Sequence, residues 1–200
     1  MNVCFKGRFK LTSPYGQRTL NGESVFHYGV DLVGLDDKTV YAPCDGVIGT
    51  STIITNKSNK TWEWGEYIRL DTADGTYSIY LCHLAKRYVK KGQKVKKGDK
   101  LGVMGYTGNT YPKGVGGTHT HFELRHYGTT NKLNPVKFIG IENKEGIYEE
   151  KPQPKKRTLA ENLNILQRHG VINTPAYWLA NAPKIKYCEE LIANMAEALE

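Results

Sequence analysis

Through roughly the first 140 residues, apolar and polar positions alternate in short runs that are cut by glycine, proline and asparagine. FHYGVDLVG (26–34), TVYAPCDGVIGTSTII (39–54) and LGVMGYTGN (101–109) are β-branched and aromatic, and read as strands entering turns. GEYIRLDTADGTYSIYLCHL (65–84) is the clearest hairpin, with strand-like Tyr67–Leu70 and Tyr77–Leu81 around an Ala73-Asp74-Gly75 turn. Alternation along its second strand places Tyr77, Ile79, Leu81 and His83 on one face. THTHFELR (118–125) sorts the same way: His119, His121, Glu123 and Arg125 point to one side, and Thr120, Phe122 and Leu124 into apolar packing. KRYVKKGQKVKKGDK (86–100) is too broken by Gly92 and Gly98 for a helix and predicts short strands and turns. A glycine-rich loop, YPKGVGG (111–117), precedes THTHFELR, and NPVKFIG (134–140) closes the unit.

The pattern then changes. ENKEGIYEEKPQPKKR (142–157), with mixed charge and two prolines, predicts a linker. Beyond it Leu159, Leu163 and Leu166 follow helical spacing, with Gly170 as the stop. Thr174 and Pro175 open a second helix, and a third from about Lys184 carries Leu191, Ile192, Met195 and Leu199 on one side. The expected organisation is a mainly β, antiparallel domain over 1–141, a linker over 142–157 and a small α-helical module over 158–200.

Thirteen tyrosines and 21 glycines support strands and turns over a helical bundle. The net charge of +8 suits an anionic polymer such as nucleic acid, an anionic membrane or a wall teichoic acid, and equally suits plain solubility. No basic helix or aromatic platform supports nucleic-acid binding. No run reaches transmembrane length, and MNVCFKGRFKLTSPYG carries no secretory signal pattern, so synthesis inside a cell is expected. Cys4, Cys44, Cys82 and Cys188 form no CxxC pair and read as free thiols, with a Cys44–Cys82 disulfide left open.

The six histidines are His27, His83, His119, His121, His126 and His169. In HYGVD, His27 and Asp31 share a face whether the segment is helical or extended, so the pair can chelate one ion. Imidazole with carboxylate suits zinc. In HTH, imidazoles two apart on a strand lie ~6.5–7 Å apart, which suits one ligand beside one catalytic group better than two ligands of one ion. A third ligand from His121 would leave a position open for water, as catalytic zinc requires. His83 is a candidate acceptor for that water's proton. His126 and His169 have no partner in sequence and read as structural.

Taken in order, these segments resemble the lysostaphin-type zinc metallopeptidases, which cut peptide bonds in bacterial peptidoglycan. SPYGQR (13–18) is similar to the family's SxFGxR, FHYGVDLVG to HxGxDxxA, VYAPCDGVI to APxDGxV, and GTHTHFELR to PHLHFEI. YLCHLAKRYVKKGQKVKKGDKLGVMGYTGN follows YxHLxxxxVxxGxxVxxGxxIGxxGxTGx. The resemblance covers residues 12–140. It implies a groove-bearing β domain, one zinc ion held by His27, Asp31 and His121, and His83 with His119 as a non-ligand catalytic pair. One of that pair takes a proton from a water that zinc acidifies and the other stabilises the oxyanion; which does which stays open. Thr118 departs from the family's proline, and Tyr15 is left without a role.

The expected partner is therefore peptidoglycan, with anionic wall polymers as a further partner for the basic face; nucleic acid and membrane insertion are not expected. The helical tail NILQRHGVINTPAYWL resembles tails of some lysins and phage-associated proteins of Gram-positive bacteria. That favours a phage endolysin, made in the host cytoplasm and released by a holin, with wall targeting or homo-oligomerisation assigned to the helices. The competing expectation is a non-catalytic wall-binding or regulatory protein on the same fold. Glu123 reads either as a support behind the metal ligands or as a surface residue, with the surface favoured. The lysines of 86–100 are expected on a solvated face, Trp62 and Trp64 over one end of the sheet in preference to walling a peptide groove, and Tyr177, Trp178 and Leu179 in the helical module's core.

Overall fold

The computed structural model describes residues 1–20, 22–150 and 157–199. It contains two compact units, Met1–Pro152 and Gln153–Glu200.

The first unit is a set of antiparallel sheets, as the alternating pattern requires. In chain order its strands are β1 (Gly7–Ser13), β2 (Gly16–Leu20), β3 (Glu23–His27), β4 (Val30–Gly34), β5 (Thr39–Tyr41), β6 (Gly46–Ile53) and β7 (Glu66–Thr72). They continue as β8 (Tyr77–Cys82), β9 (Leu84–Arg87), β10 (Lys94–Val95), β11 (Lys100–Met104), β12 (Thr120–His126), β13 (Lys132–Leu133) and β14 (Gly146–Glu150). The large sheet runs β10-β6-β7-β8-β12-β4-β1-β14, with β13 attached to β12. A second sheet runs β5-β11-β9, and β2-β3 is a separate ribbon. A single turn of helix, α1 (Val136–Ile139), follows β13.

Strand β12 sits between β8 and β4, and its alternation sorts as the pattern predicts: Thr120, Phe122 and Leu124 are buried in the apolar layer. Phe122 stands opposite Leu81 on β8 and Val30 on β4, and Leu124 opposite Ile79. These side chains, with Phe9, Leu11, Leu32, Ile48, Ile68 and Leu70, form one continuous core. Each fully buried large side chain contributes roughly 1.5–3 kcal/mol, so the core holds β12 firmly and leaves its other face free for chemistry.

The expected linker is corrected in part. Gly146–Glu150 is a strand, paired along its length with β1, and Tyr148 stacks on its cross-strand partner Phe9 at a centroid distance of 5.9 Å. Residues 151–156 of that stretch lie outside the described residues.

Among the described residues the second unit has three α-helices: α2 (Leu159–Arg168), α3 (Pro175–Asn181) and α4 (Cys188–Glu197). Thr158 caps α2 in a reciprocal box with Glu161. Leu163, Ile165, Leu166, Ala182, Ile192 and Ala196 make its small core. Trp178 packs against that core, but Tyr177 and Leu179 are exposed, so the expected apolar knot of three is reduced to one ring. The four cysteines are free thiols. Among the described residues no helix is long and apolar enough to cross a membrane.

Candidate functional site

The register of the large sheet builds the centre of the site. His121 on β12 lies directly opposite Asp31 on β4 and Cys82 on β8. Its Nδ1 is 3.0 Å from Asp31 Oδ1. His27 comes from a different sheet: it ends β3, and the bend at Tyr28 and Gly29 carries the chain into β4. HYGVD is therefore neither one helix nor one strand. The bend lets His27 Nε2 reach to 3.2 Å from Asp31 Oδ1 and 3.0 Å from His121 Nδ1. Gly29 is needed for this packing, since a Cβ there would lie 2.5 Å from the His121 ring and 2.6 Å from the Phe122 carbonyl oxygen.

His83 departs from the expected alternation. Leu81, the residue two before it, faces the apolar core, so strict alternation would bury His83 there as well. Instead His83 adopts φ +64°, a left-handed backbone, where the chain leaves β8 for β9 and so changes sheets. That one residue turns the ring to the other face, 4.7 Å between centroids from His119 and 6.1 Å from His121. Its amide donates to the Trp64 carbonyl at 2.8 Å. His119 precedes β12 and bridges to Gly105, and its Nε2 is 3.5 Å from Asp31 Oδ1.

The ring nitrogens fall into two patterns. His27 Nδ1 donates to the Pro14 carbonyl at 2.8 Å, His83 Nδ1 to Thr107 at 2.9 Å and His119 Nδ1 to Gly117 at 2.8 Å. A carbonyl oxygen only accepts, so each of these rings in its neutral form keeps its Nε2 lone pair free. His121 is reversed: Nδ1 faces the centre, and Nε2 faces Glu123 Oε2 at 3.8 Å.

Burial and charge act together here. Burial alone would raise the Asp31 carboxyl, but hydrogen bonds from His121 and His27 hold it well below the usual carboxylate range. Burial opposes a charged His121, yet Asp31 and Glu123 push it up to about 9. Burial, with the neighbouring His119 and His121, pushes His83 down to about 3, and burial also lowers His119.

The described chain matches peptidase family M23 over residues 25–135, more than half of its length. The chain belongs to that family. Its similarity to the catalytic domain of lysostaphin, the antimicrobial peptidase of Staphylococcus simulans, is 28% identity with a TM-score of 0.55, over 66% of this chain and 92% of that one. It is 32% identical over 118 residues to the peptidoglycan DD-endopeptidase ShyC of Vibrio cholerae, covering 58% of this chain and 24% of ShyC. It is 28% identical over 111 residues to the murein hydrolase activator NlpD of Escherichia coli, covering 56% of this chain and 25% of NlpD. The chain thus spans about a quarter of the length of these curated relatives.

The donor set fits the zinc ion of the M23 metallopeptidases. His27 Nε2, Asp31 Oδ1 and His121 Nδ1 all lie within 4.8 Å of one another, and their separations of 3.0–3.2 Å are close to the ~3.3–3.5 Å between ligands of a tetrahedral zinc. Two imidazoles and a carboxylate are the ligand types zinc takes at catalytic sites.

Two further residues reach this centre. Arg18, in SPYGQR, donates from Nη1 to Asp31 Oδ2 at 2.9 Å and to Ser13 Oγ at 2.7 Å. The shared motif placed Arg18 in the family pattern without giving it a role; only the fold shows that it leaves one carboxylate oxygen to the centre. Glu123 is 2% exposed and corrects the expectation of a surface residue. It faces Arg125, Lys132 and His121, so its charge is compensated inside the protein. Trp64 covers the same sheet face, packed 5.1 Å from both Tyr67 and Tyr80, with the Arg125 guanidinium 4.4 Å from the Tyr80 ring.

Proposed function

We propose that the chain is a zinc-dependent endopeptidase that hydrolyses peptide bonds in bacterial peptidoglycan. The observation that carries this reading is the convergence of a three-donor cluster and two further histidines, each with its Nε2 lone pair free. His27, Asp31 and His121 would hold the ion. Zinc bound there would polarise a peptide carbonyl and lower the pKa of a water. His83 and His119 then supply proton transfer. Both are held in the tautomer that accepts at Nε2, and burial keeps both neutral. One removes the proton of the attacking water at Nε2 and, as the imidazolium, passes it to the departing amine as the C–N bond breaks; the other donates to the oxyanion only after taking a proton from solvent. Thr107 and Gly117 fix the two rings through their carbonyls.

The similarity to NlpD favours one other reading, an activator of murein hydrolases that does no chemistry itself. Purified protein incubated with isolated walls separates the two. The enzyme reading expects one zinc per chain and new peptide ends in the released muropeptides by mass spectrometry. Zinc-free protein that releases no peptide would overturn it.

We extend the proposal to a phage endolysin of a Gram-positive host, made in the cytoplasm and released by a holin, with the helical unit as its wall-targeting part. The resemblance of NILQRHGVINTPAYWL to lysin tails supports this. Faster clearing of Gram-positive than of Gram-negative walls is expected, with the rate reduced when the helical unit is deleted.

A further inference from the structure

Glu123 is a buried carboxylate that the proposed chemistry does not use. It lies two positions beyond His121 on the same strand face, opposite Tyr80. Its three charged or chargeable neighbours differ in kind. Arg125 grips Oε1 through Nε and Nη2, in two close contacts on one strand face. The Lys132 ammonium stands 3.8 Å from Oε2 and also over the Tyr28 ring at 4.3 Å. His121 Nε2 stands 3.8 Å from the same Oε2.

His121 is the one histidine of the site that turns Nδ1, not Nε2, toward the centre. A neutral imidazole with a lone pair on Nδ1 must carry its proton on Nε2. For His27, His83 and His119 a backbone carbonyl makes the equivalent choice; for His121 no backbone carbonyl is at hand among the described contacts, and the nearest acceptor is Glu123. The 3.8 Å gap is an ion-pair distance, which a small rotation of the carboxylate closes to a hydrogen bond.

We propose that Glu123 is a positioning residue for zinc: it holds His121 in the Nε2–H tautomer, while Arg125 and Lys132 aim the carboxylate at that ring. This rests on the reading that His27, Asp31 and His121 hold zinc. Ligating histidines commonly donate their second N–H to a carboxylate, and losing such a partner typically costs 10–100-fold in metal affinity. The inference gives a reason for burying an acid on the strand face that alternation makes it share with His121.

The test measures zinc affinity by chelator competition on the full chain, with thermal unfolding of the metal-free proteins alongside. Glu123→Ala is expected to weaken zinc binding about 10–100-fold. Glu123→Gln keeps an oxygen acceptor and is expected to recover most of that loss. In zinc-loaded, 15N-labelled wild type, His121 Nε2–H gives a slowly exchanging proton signal that survives in Glu123→Gln and is lost in Glu123→Ala. Wild-type affinity in Glu123→Ala overturns the proposal, as does an equal loss in Ala and Gln variants, which would assign the effect to charge or packing. Should Glu123→Ala not fold, the Gln variant and its proton signal carry the test alone. Failure of wild type to bind zinc, or unchanged zinc affinity in His121→Ala, would instead overturn the parent reading, because that variant must lose zinc whatever Glu123 does.

Discussion

Asp31 and His121 meet across two hydrogen-bonded strands, whereas His83 and His119 reach the same point from turns. The first pair is fixed by sheet register: the residues are direct cross-strand partners, and the apolar layer behind them, from Phe122 to Leu32, is fully buried. The second pair depends on individual bonds, one ring on the Thr107 carbonyl and the other on Gly117. Loops 105–109 and 61–65 interlock closely enough that a Cβ on Gly65 would lie 2.4 Å from the Thr107 backbone. On the proposed reading an ion needs ligands that do not move; sheet register supplies Asp31 and His121, and the bend before β4 supplies His27. Proton carriers need one free lone pair at a set distance, and a turn with a single carbonyl acceptor supplies that.

The largest expected effect separates the two halves directly. His121→Ala should lose both zinc and turnover, while His119→Ala and His83→Ala should keep zinc and lose turnover by about 10²–10⁴-fold. Metal analysis beside a muropeptide assay checks both. Equal loss of zinc in all three variants would erase the distinction.

Gly29→Ala should act on the ligand half alone. Its Cβ cannot fit 2.5 Å from the His121 ring, so zinc affinity should fall roughly tenfold, as when a ligand's support is disturbed. Isothermal titration measures it; unchanged affinity would mean that the ring has slack.

The smallest effect is one of pH. In the metal-free protein His121 is raised from 6.5 to about 9. Its folded-state pKa exceeds its unfolded one, so the stabilisation is complete below 6.5 and is lost as pH rises through about 9. The melting temperature of metal-free protein should therefore fall across that window. Zinc displaces the same proton, so apparent zinc affinity should rise over the window. A flat melting temperature would place the charge elsewhere.

Much of this was legible along the chain. HYGVD, YLCHL and GTHTHFELR contain the five residues that the fold gathers; their types offered candidate ligands and proton acceptors, and the family resemblance supplied the set. The strand positions of 65–84 and the helical spacing after Leu159 followed from periodicity, a local property. Two charged stretches were not legible. The edge strand Gly146–Glu150 looks like linker in its charges, and only pairing with β1 makes it a strand. Glu123 looks like surface, and only Arg125, Lys132 and His121 make its burial tolerable.

His83 shows the division most sharply. The sequence by itself determined that a histidine ends an apolar strand, and the family resemblance assigned it a catalytic role. It also determined which residues could serve as ligands and that the first unit is built from alternating strands. The tertiary structure decided on which face His83 lies, through a left-handed φ of +64° where the chain passes from one sheet to another. It likewise decided which oxygen of Asp31 is taken by Arg18 and which acid stands behind His121. Periodicity counts residues along one strand; a change of backbone hand and the register between strands are set by contacts distant in the chain, so no local pattern contains them.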